Sequence, residues 1–122
     1  MDIYKCDHCS KMVEELRRGA GSPECCGSAM TKLEPGTTDG AYDKHVPVYS
    51  VDGARYTITV GAVEHPSTDA HYIMWIAVET TTGVRRWALK PGDVPKVEFT
   101  LTVGEIVVGI YAYCNLHGLW KA

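Results

Sequence analysis

Four of the five cysteines fall within the first 26 residues, and this clustering limits the possible folds more than any other feature of the chain. Cys6 and Cys9 form a Cys-x-x-Cys pair, and Cys25 and Cys26 follow as an adjacent pair. Four thiolates around one ion favour tetrahedral zinc or iron. A segment this short buries too little apolar surface to fold without such a staple. We therefore predict a four-cysteine site for iron or zinc, with a strained geometry at the adjacent pair.

The composition changes near residue 35, where the turn-rich stretch 34–40 begins. We predict a metal module over residues 1–35, in which residues 12–18 are compatible with a helix or a short strand, and a second domain over residues 36–122. In the second domain, apolar runs and apolar–polar alternation indicate five short strands separated by turn residues. These candidate strands are residues 56–60, 72–78, 84–89, 97–103 and 106–113. With no convincing amphipathic helix, the pattern predicts an all-β protein whose second domain is an antiparallel sandwich.

Charge and hydropathy exclude several classes of partner. The net charge of −3 gives no sign of a nucleic-acid-binding surface. The first residues lack a basic segment followed by an apolar one, and the longest apolar stretch is about half the ~20 residues of a membrane helix. An odd number of cysteines argues against a disulfide framework. We expect a cytoplasmic protein without nucleic-acid or membrane partners.

Four histidines after residue 40 and the fifth cysteine suggest a second metal site. His45 and His65 lie close to prolines, where we expect extended or turning backbone. His71 opens a predicted buried strand, and the spacing of Cys114 and His117 lets one turn after the last predicted strand present both side chains. Four imidazoles and one thiolate exceed the three protein ligands typical of catalytic zinc. Iron accepts all five and keeps a sixth position open.

Copper is an alternative at this second site. Residues 111–117 resemble the C-terminal copper loop of cupredoxins, which uses two histidines, a cysteine and usually a weak axial methionine. No methionine follows Cys114, however, and two histidines would remain unused. A non-enzymatic iron electron-transfer protein is the other alternative, with copper less favoured.

In combination, the motifs resemble desulfoferrodoxin, the two-iron superoxide reductase family. The resemblance runs in order over essentially the whole chain. Its N-terminal part matches the family's desulforedoxin-like module through the four clustered cysteines. The remaining motifs are Asp39-Gly40, Asp43-Lys44-His45-Val46-Pro47, His65-Pro66, residues 71–76, residues 90–93 and residues 114–121.

The resemblance implies a seven-stranded immunoglobulin-like sandwich and a homodimer. It implies a square-pyramidal ferrous site with His45, His65, His71 and His117 as equatorial ligands and Cys114 as the axial ligand, besides an N-terminal ferric tetrathiolate. The implied reaction is one-electron reduction of superoxide to hydrogen peroxide without release of dioxygen. Rubredoxin or a similar protein would supply electrons, in an anaerobic or microaerophilic cytoplasm.

Two residues beside His45 acquire catalytic roles through this resemblance. The family commonly has a glutamate before the lysine of this motif, and its carboxylate can cap the oxidised iron. Asp43 keeps the charge on a side chain one methylene shorter, which disfavours direct ligation and leaves action through water. Lys44 would steer superoxide and orient a proton-donating water. Backbone N–H groups of residues 115–117 are expected to hydrogen-bond the Cys114 sulfur.

Overall fold

Antiparallel strands make up almost all of the secondary structure in this computed structural model, which describes residues 1–122. The chain divides into two units, Met1–Glu34 and Pro35–Ala122. Its one helix has four residues, and no helical segment has the length and hydropathy needed to cross a membrane.

The N-terminal unit contains two small sheets. Residues 12–15 form a strand that pairs antiparallel with the first strand, so the strand alternative for this segment is confirmed and the helix alternative is wrong. Only a few of the unit's apolar side chains are buried, among them Ile3 and Met30. The sheets are ordered β2-β1-β5 and β3-β4, where the strands are β1 (Asp2–Lys5), β2 (Met12–Glu15), β3 (Glu24–Cys25), β4 (Ser28–Ala29) and β5 (Thr31–Lys32).

The C-terminal unit contains seven strands in two antiparallel sheets. One sheet has the order β10-β7-β6 and the other the order β12-β11-β8-β9. Buried residues from both sheets form one apolar cluster, so the predicted seven-stranded sandwich is confirmed. The strands are β6 (Pro47–Asp52), β7 (Arg55–Val60), β8 (Ile73–Thr80), β9 (Gly83–Ala88), β10 (Lys96–Thr100), β11 (Val107–Cys114) and β12 (Gly118–Lys121).

The two central strands of the larger sheet, β8 and β11, hold most of the core. Ile76, Ala77 and Val78 are consecutive and completely buried, so both faces of β8 are covered. This agrees with the continuous apolar run in the sequence, because a strand with only one buried face would alternate. The carboxyl end of β11 carries Cys114, which is also fully buried and belongs to the core cluster.

Local structure around two candidate ligands differs from the sequence prediction. His45 is the last residue of the helix α1 (Tyr42–His45), not part of an extended segment. The reason is that Pro47 restricts only the residue before it, and Val46 alone takes the extended conformation that ends the helix. Cys114 ends the penultimate strand, since β12 follows and pairs Gly118 with it.

Candidate metal centres

The first centre is formed by two turns of the N-terminal unit. Cys6 and Cys9 lie between β1 and β2, and Cys25 and Cys26 lie at the β3–β4 hairpin. Each cysteine is a free thiol, and the four sulfurs lie within 4.8 Å of one another. The sulfurs of Cys9 and Cys25 are 3.6 Å apart, and those of Cys25 and Cys26 are 3.8 Å apart. A tetrahedral ion with metal–sulfur bonds of about 2.3 Å separates its ligands by about 3.8 Å, so the four thiols fit such an ion.

Backbone geometry explains how these turns bring the sulfurs together. The N–H of Cys9 points at the Cys6 sulfur across 3.4 Å, and the N–H of Ser10 donates to the Cys6 carbonyl at 3.0 Å. Cys26 has a φ of 53°, in the left-handed region that residues other than glycine seldom adopt. The strain predicted for the adjacent pair is therefore present at Cys26.

The pKa values of Cys6 and Cys26 are shifted in opposite directions. The N–H of Cys9 is the main cause that lowers the pKa of Cys6 to about 6. The pKa of Cys26 is raised to about 12, chiefly by its hydrogen bond with Cys9 and then by Cys25. Several thiolates this close repel one another, so one sulfur ionises readily and the next resists ionisation. A bound cation would remove that repulsion and allow all four thiols to ionise.

The second centre lies at one end of the sandwich. It brings together the end of α1, the connection between β7 and β8, and the end of β11. Four donor atoms lie within 4.8 Å of one another, one each from His45, His65, His71 and Cys114. His117, in the β11–β12 turn, lies beside this group. Its Nδ1 is 3.0 Å from the Nε2 of His45 and 3.7 Å from the Cys114 sulfur.

Hydrogen bonds determine which ring nitrogens face the centre. The Nδ1–H of His45 donates to the carbonyl of Ala41 at 2.7 Å, and the Nδ1–H of His65 donates to the carbonyl of Pro66 at 2.7 Å. Because a carbonyl oxygen only accepts, both neutral rings carry their proton on Nδ1. Their unprotonated Nε2 atoms then face each other across 3.2 Å. Two lone pairs this close repel unless a cation lies between the rings.

Burial keeps these imidazoles neutral. Burial lowers the pKa of His65 to about 4, and it also lowers the pKa of His45 and of His71. The Nε2 of His71 is buried without any hydrogen-bonding partner. A buried imidazole nitrogen of this kind is a ready metal ligand.

Cys114 is fully buried at the same centre. Burial raises the pKa of its thiol, while the backbone N–H groups of Leu116 and His117 act in the opposite direction. This direction agrees with the hydrogen bonding predicted from residues 116 and 117. The N–H of Asn115 instead donates to the carbonyl of Tyr72 at 3.2 Å.

Asp43 and Lys44 lie in α1 directly before His45, and both are exposed. After burial and the neighbouring His117, the positive charge of Lys44 is a further cause that lowers the pKa of His45 and of His71. Its ammonium group therefore makes the electrostatic potential at the centre more positive. The Asp43 carboxylate accepts no hydrogen bond from a candidate ligand.

Trp120 supports two of the candidate ligands, and sequence reasoning did not identify it. Its ring stacks on His45 with centroids 5.0 Å apart, and its indole N–H donates to the carbonyl of His117 at 3.0 Å. Thr38 also donates to that carbonyl. The signal was present, since Trp120 lies in the C-terminal motif only three residues after His117.

Two family models and several known proteins match this chain. The family model for desulfoferrodoxin matches residues 37–122, and the model for the desulfoferrodoxin N-terminal domain matches residues 1–33. A desulfoferrodoxin from Nitratidesulfovibrio vulgaris is 45% identical over 121 residues, which cover 99% of this chain and 94% of the relative. A desulfoferrodoxin homolog from Archaeoglobus fulgidus is also 45% identical, over 100% of this chain and 96% of the relative.

Solved structures give the same result. The crystal structure of the superoxide reductase from Treponema pallidum is 32% identical, covers 98% of both chains and has a TM-score of 0.80. The superoxide reductase (1Fe-SOR) from Giardia intestinalis is 34% identical with a TM-score of 0.57, over 66% of this chain and 95% of that one. Both family models and these relatives show that the chain belongs to the desulfoferrodoxin family.

Proposed function

We propose that this chain is a superoxide reductase that acts at an iron held in the second centre. The reaction consumes one superoxide, one electron and two protons and yields one hydrogen peroxide, without dioxygen. The facing Nε2 lone pairs of His45 and His65, 3.2 Å apart beside the Cys114 sulfur, carry the metal assignment. The solved relatives from Treponema pallidum and Giardia intestinalis, which are superoxide reductases by name, support the choice of substrate.

The donor set favours iron over zinc or copper. Catalytic zinc takes three protein ligands, and blue copper takes two histidines and a cysteine. Here the ligands would be His45, His65, His71, His117 and Cys114, which exceed both sets. Bound iron would supply the single electron for each superoxide by cycling between its ferrous and ferric states.

The charges of these side chains suit an anionic substrate. The lowered pKa of His65, at about 4, together with those of His45 and His71, leaves these imidazoles neutral at pH 7. Imidazoles bind metals in their neutral form, so Cys114 would be the single negative ligand and a divalent ion would keep a net charge of about +1. This charge attracts superoxide. The two N–H groups directed at the Cys114 sulfur would tune how much electron density the sulfur donates.

Lys44 and Asp43 would act on the substrate from α1. The exposed ammonium of Lys44 adds positive charge beside His45 and would raise the encounter rate with superoxide. It would also orient a water that donates a proton. Asp43 would contribute through a water, since its side chain is short for direct ligation.

Other parts of the proposal concern the first centre and the partners. We assign iron to Cys6, Cys9, Cys25 and Cys26, with zinc as the alternative, because both metals accept four thiolates. A rubredoxin-like electron donor, a homodimer and a cytoplasmic location complete the proposal and rest on the family resemblance. Metal analysis of the purified protein would identify the metal of the four-cysteine centre, because iron in both centres gives two iron atoms per chain.

Substitution Cys114→Ser tests the proposed function. We expect loss of the sulfur-to-iron charge-transfer band and of the rapid reaction with superoxide. Pulse radiolysis measures the rate of that reaction. The absorption of the four-cysteine centre should be unchanged and serves as an internal control for folding and metal loading. Full activity of Cys114→Ser would refute the assignment. Iron-loaded parent protein that exchanges electrons but does not react with superoxide would instead indicate an electron-transfer protein.

A further inference from the structure

The candidate ligands of the second centre are held in place in different ways. The rings of His45 and His65 are each held by an Nδ1–H that donates to a backbone carbonyl. The Nε2 of His71 has no hydrogen-bonding partner. The hydrogen bonds of this residue are made by its backbone N–H and carbonyl instead. The N–H of His71 donates to the hydroxyl of Thr68 at 3.1 Å, and its carbonyl accepts from the N–H of Thr68 at 2.9 Å. The position of the His71 ring therefore depends on what fixes the local main chain.

The side chain of Asn115 binds the main chain on both sides of His71. Its Oδ1 accepts from the N–H of Tyr72 at 2.9 Å, and its Nδ2 donates to the carbonyl of Ala70 at 3.0 Å. The N–H of Asn115 also donates to the carbonyl of Tyr72 at 3.2 Å. Three hydrogen bonds thus connect the residue after Cys114 to the two neighbours of His71.

Sheet pairing shows why a side chain is needed at this point. The register between β8 and β11 shifts between Tyr113 and Cys114, so the regular ladder is interrupted at the end of the strands. Beyond this irregularity, the Asn115 carboxamide supplies a donor and an acceptor of the kind that backbone peptides supply within a ladder. Asparagine combines both groups on one short, planar side chain.

We propose that Asn115 is a positioning residue that sets the location of His71 relative to Cys114. The inference rests on the ligand set given under Proposed function. The Oδ1 of Asn115 also lies 4.0 Å from the Cys114 sulfur. The shorter hydrogen bonds of its side chain are those to Tyr72 and Ala70, and Asn115 acts on His71 through these two residues. Its loss would let the His71 segment move away from the sulfur and would weaken metal binding at this centre only.

A double-mutant cycle with Asn115→Ala and His71→Ala tests this proposal. Ferrous iron is titrated into each variant in competition with a chelator, and binding is read from the sulfur-to-iron band. In the parent background, Asn115→Ala should weaken binding by about 10- to 100-fold, the usual effect of losing a group that orients a ligand. In the His71→Ala background, the same substitution should change the affinity by less than about twofold, because the ligand that it positions is gone.

Asp93→Ala is the matched control. The Asp93 carboxylate accepts from the N–H of Lys90 at 2.8 Å, so this variant also loses a hydrogen bond from side chain to backbone, at an exposed turn. We expect parental affinity for iron. If Asn115→Ala does not fold, Asn115→Asp replaces it in the same cycle, since aspartate can still accept from Tyr72 and loses only the bond to Ala70.

Two results would overturn the proposal. Unchanged iron affinity in the Asn115 variant would exclude a positioning role, and an equal loss with and without His71 would assign Asn115 to Cys114 or to general stability. None of these measurements uses superoxide. A protein that binds iron as expected but does not reduce superoxide would therefore count against the proposed function and leave this inference intact.

Discussion

Substitution Gly61→Ala should displace the segment that carries His45. A Cβ atom at Gly61 would lie 2.6 Å from the carbonyl oxygen of Asp43, 2.8 Å from the carbonyl carbon of Lys44 and 3.0 Å from the carbonyl oxygen of Val46. All three are backbone atoms, so a side-chain rotation cannot relieve the overlap. The N–H of Val63 donates to the same Asp43 carbonyl at 3.0 Å, which holds the two segments together.

The required displacement follows from these distances. Cβ atoms essentially never approach a heavy atom within 3.0 Å, and ordinary contact begins at 3.4 Å. The Asp43 carbonyl must therefore retreat by roughly 0.4 to 0.8 Å. Binding sites depend on ligand positions held to within about 0.5 Å. Overpacking of this kind typically costs about 1–3 kcal/mol, and each kcal/mol lowers the melting temperature of a domain this size by about 4–8 °C.

Thermal unfolding and iron titration check this prediction together. We expect Gly61→Ala to melt at least several degrees below the parent and to bind iron more weakly at the second centre. Gly19→Ala is the matched control, because a Cβ at Gly19 meets nothing within 4 Å and its φ is outside the left-handed region. If Gly61→Ala had the melting temperature and iron affinity of the parent, the packing argument would be wrong.

Two further predictions concern charge. Lys44→Ala should slow the second-order reaction with superoxide, mainly at low ionic strength, because salt screens the steering charge; equal rates for both proteins at low salt would exclude this role. Glu105→Gln should lower the melting temperature at pH 7, because the buried carboxylate accepts hydrogen bonds from Thr80, Thr82, Thr102 and Arg85. The N–H of Thr102 is the main cause that lowers the pKa of Glu105 from 4.5 to about 2, so the stabilisation is present above about pH 4.5 and is lost as the pH falls to about 2. The difference in melting temperature should shrink over that interval, and a difference independent of pH would contradict this explanation.

Local patterns predicted the strands with strong hydrophobic signals but missed two others. Alternation and apolar runs indicated five of the seven sandwich strands, including β8 and β11 at the centre of the larger sheet. The edge strand β6 is largely exposed, with Tyr49 and Val51 half in solvent, so it lacks the burial that produces a clear alternation. The four-residue β12 lies beyond the last predicted strand and is too short for a clear alternation. The family resemblance, not the pattern of residues, supplied the count of seven strands.

The sequence by itself determined which metal ligands the chain offers. Cys6 and Cys9 lie close enough along the chain for one turn to present both side chains, and the same is true of Cys114 and His117. Only the tertiary structure decided which atoms of the second centre meet. Asn115 binds Ala70 across 45 residues, and the connection after β7 leaves no room for a Cβ at Gly61 beside the backbone of Asp43 in α1. The physical reason is that spacing along the chain limits only neighbouring residues, whereas tautomers, lone-pair contacts and backbone clearance depend on segments that are brought together when the core is buried.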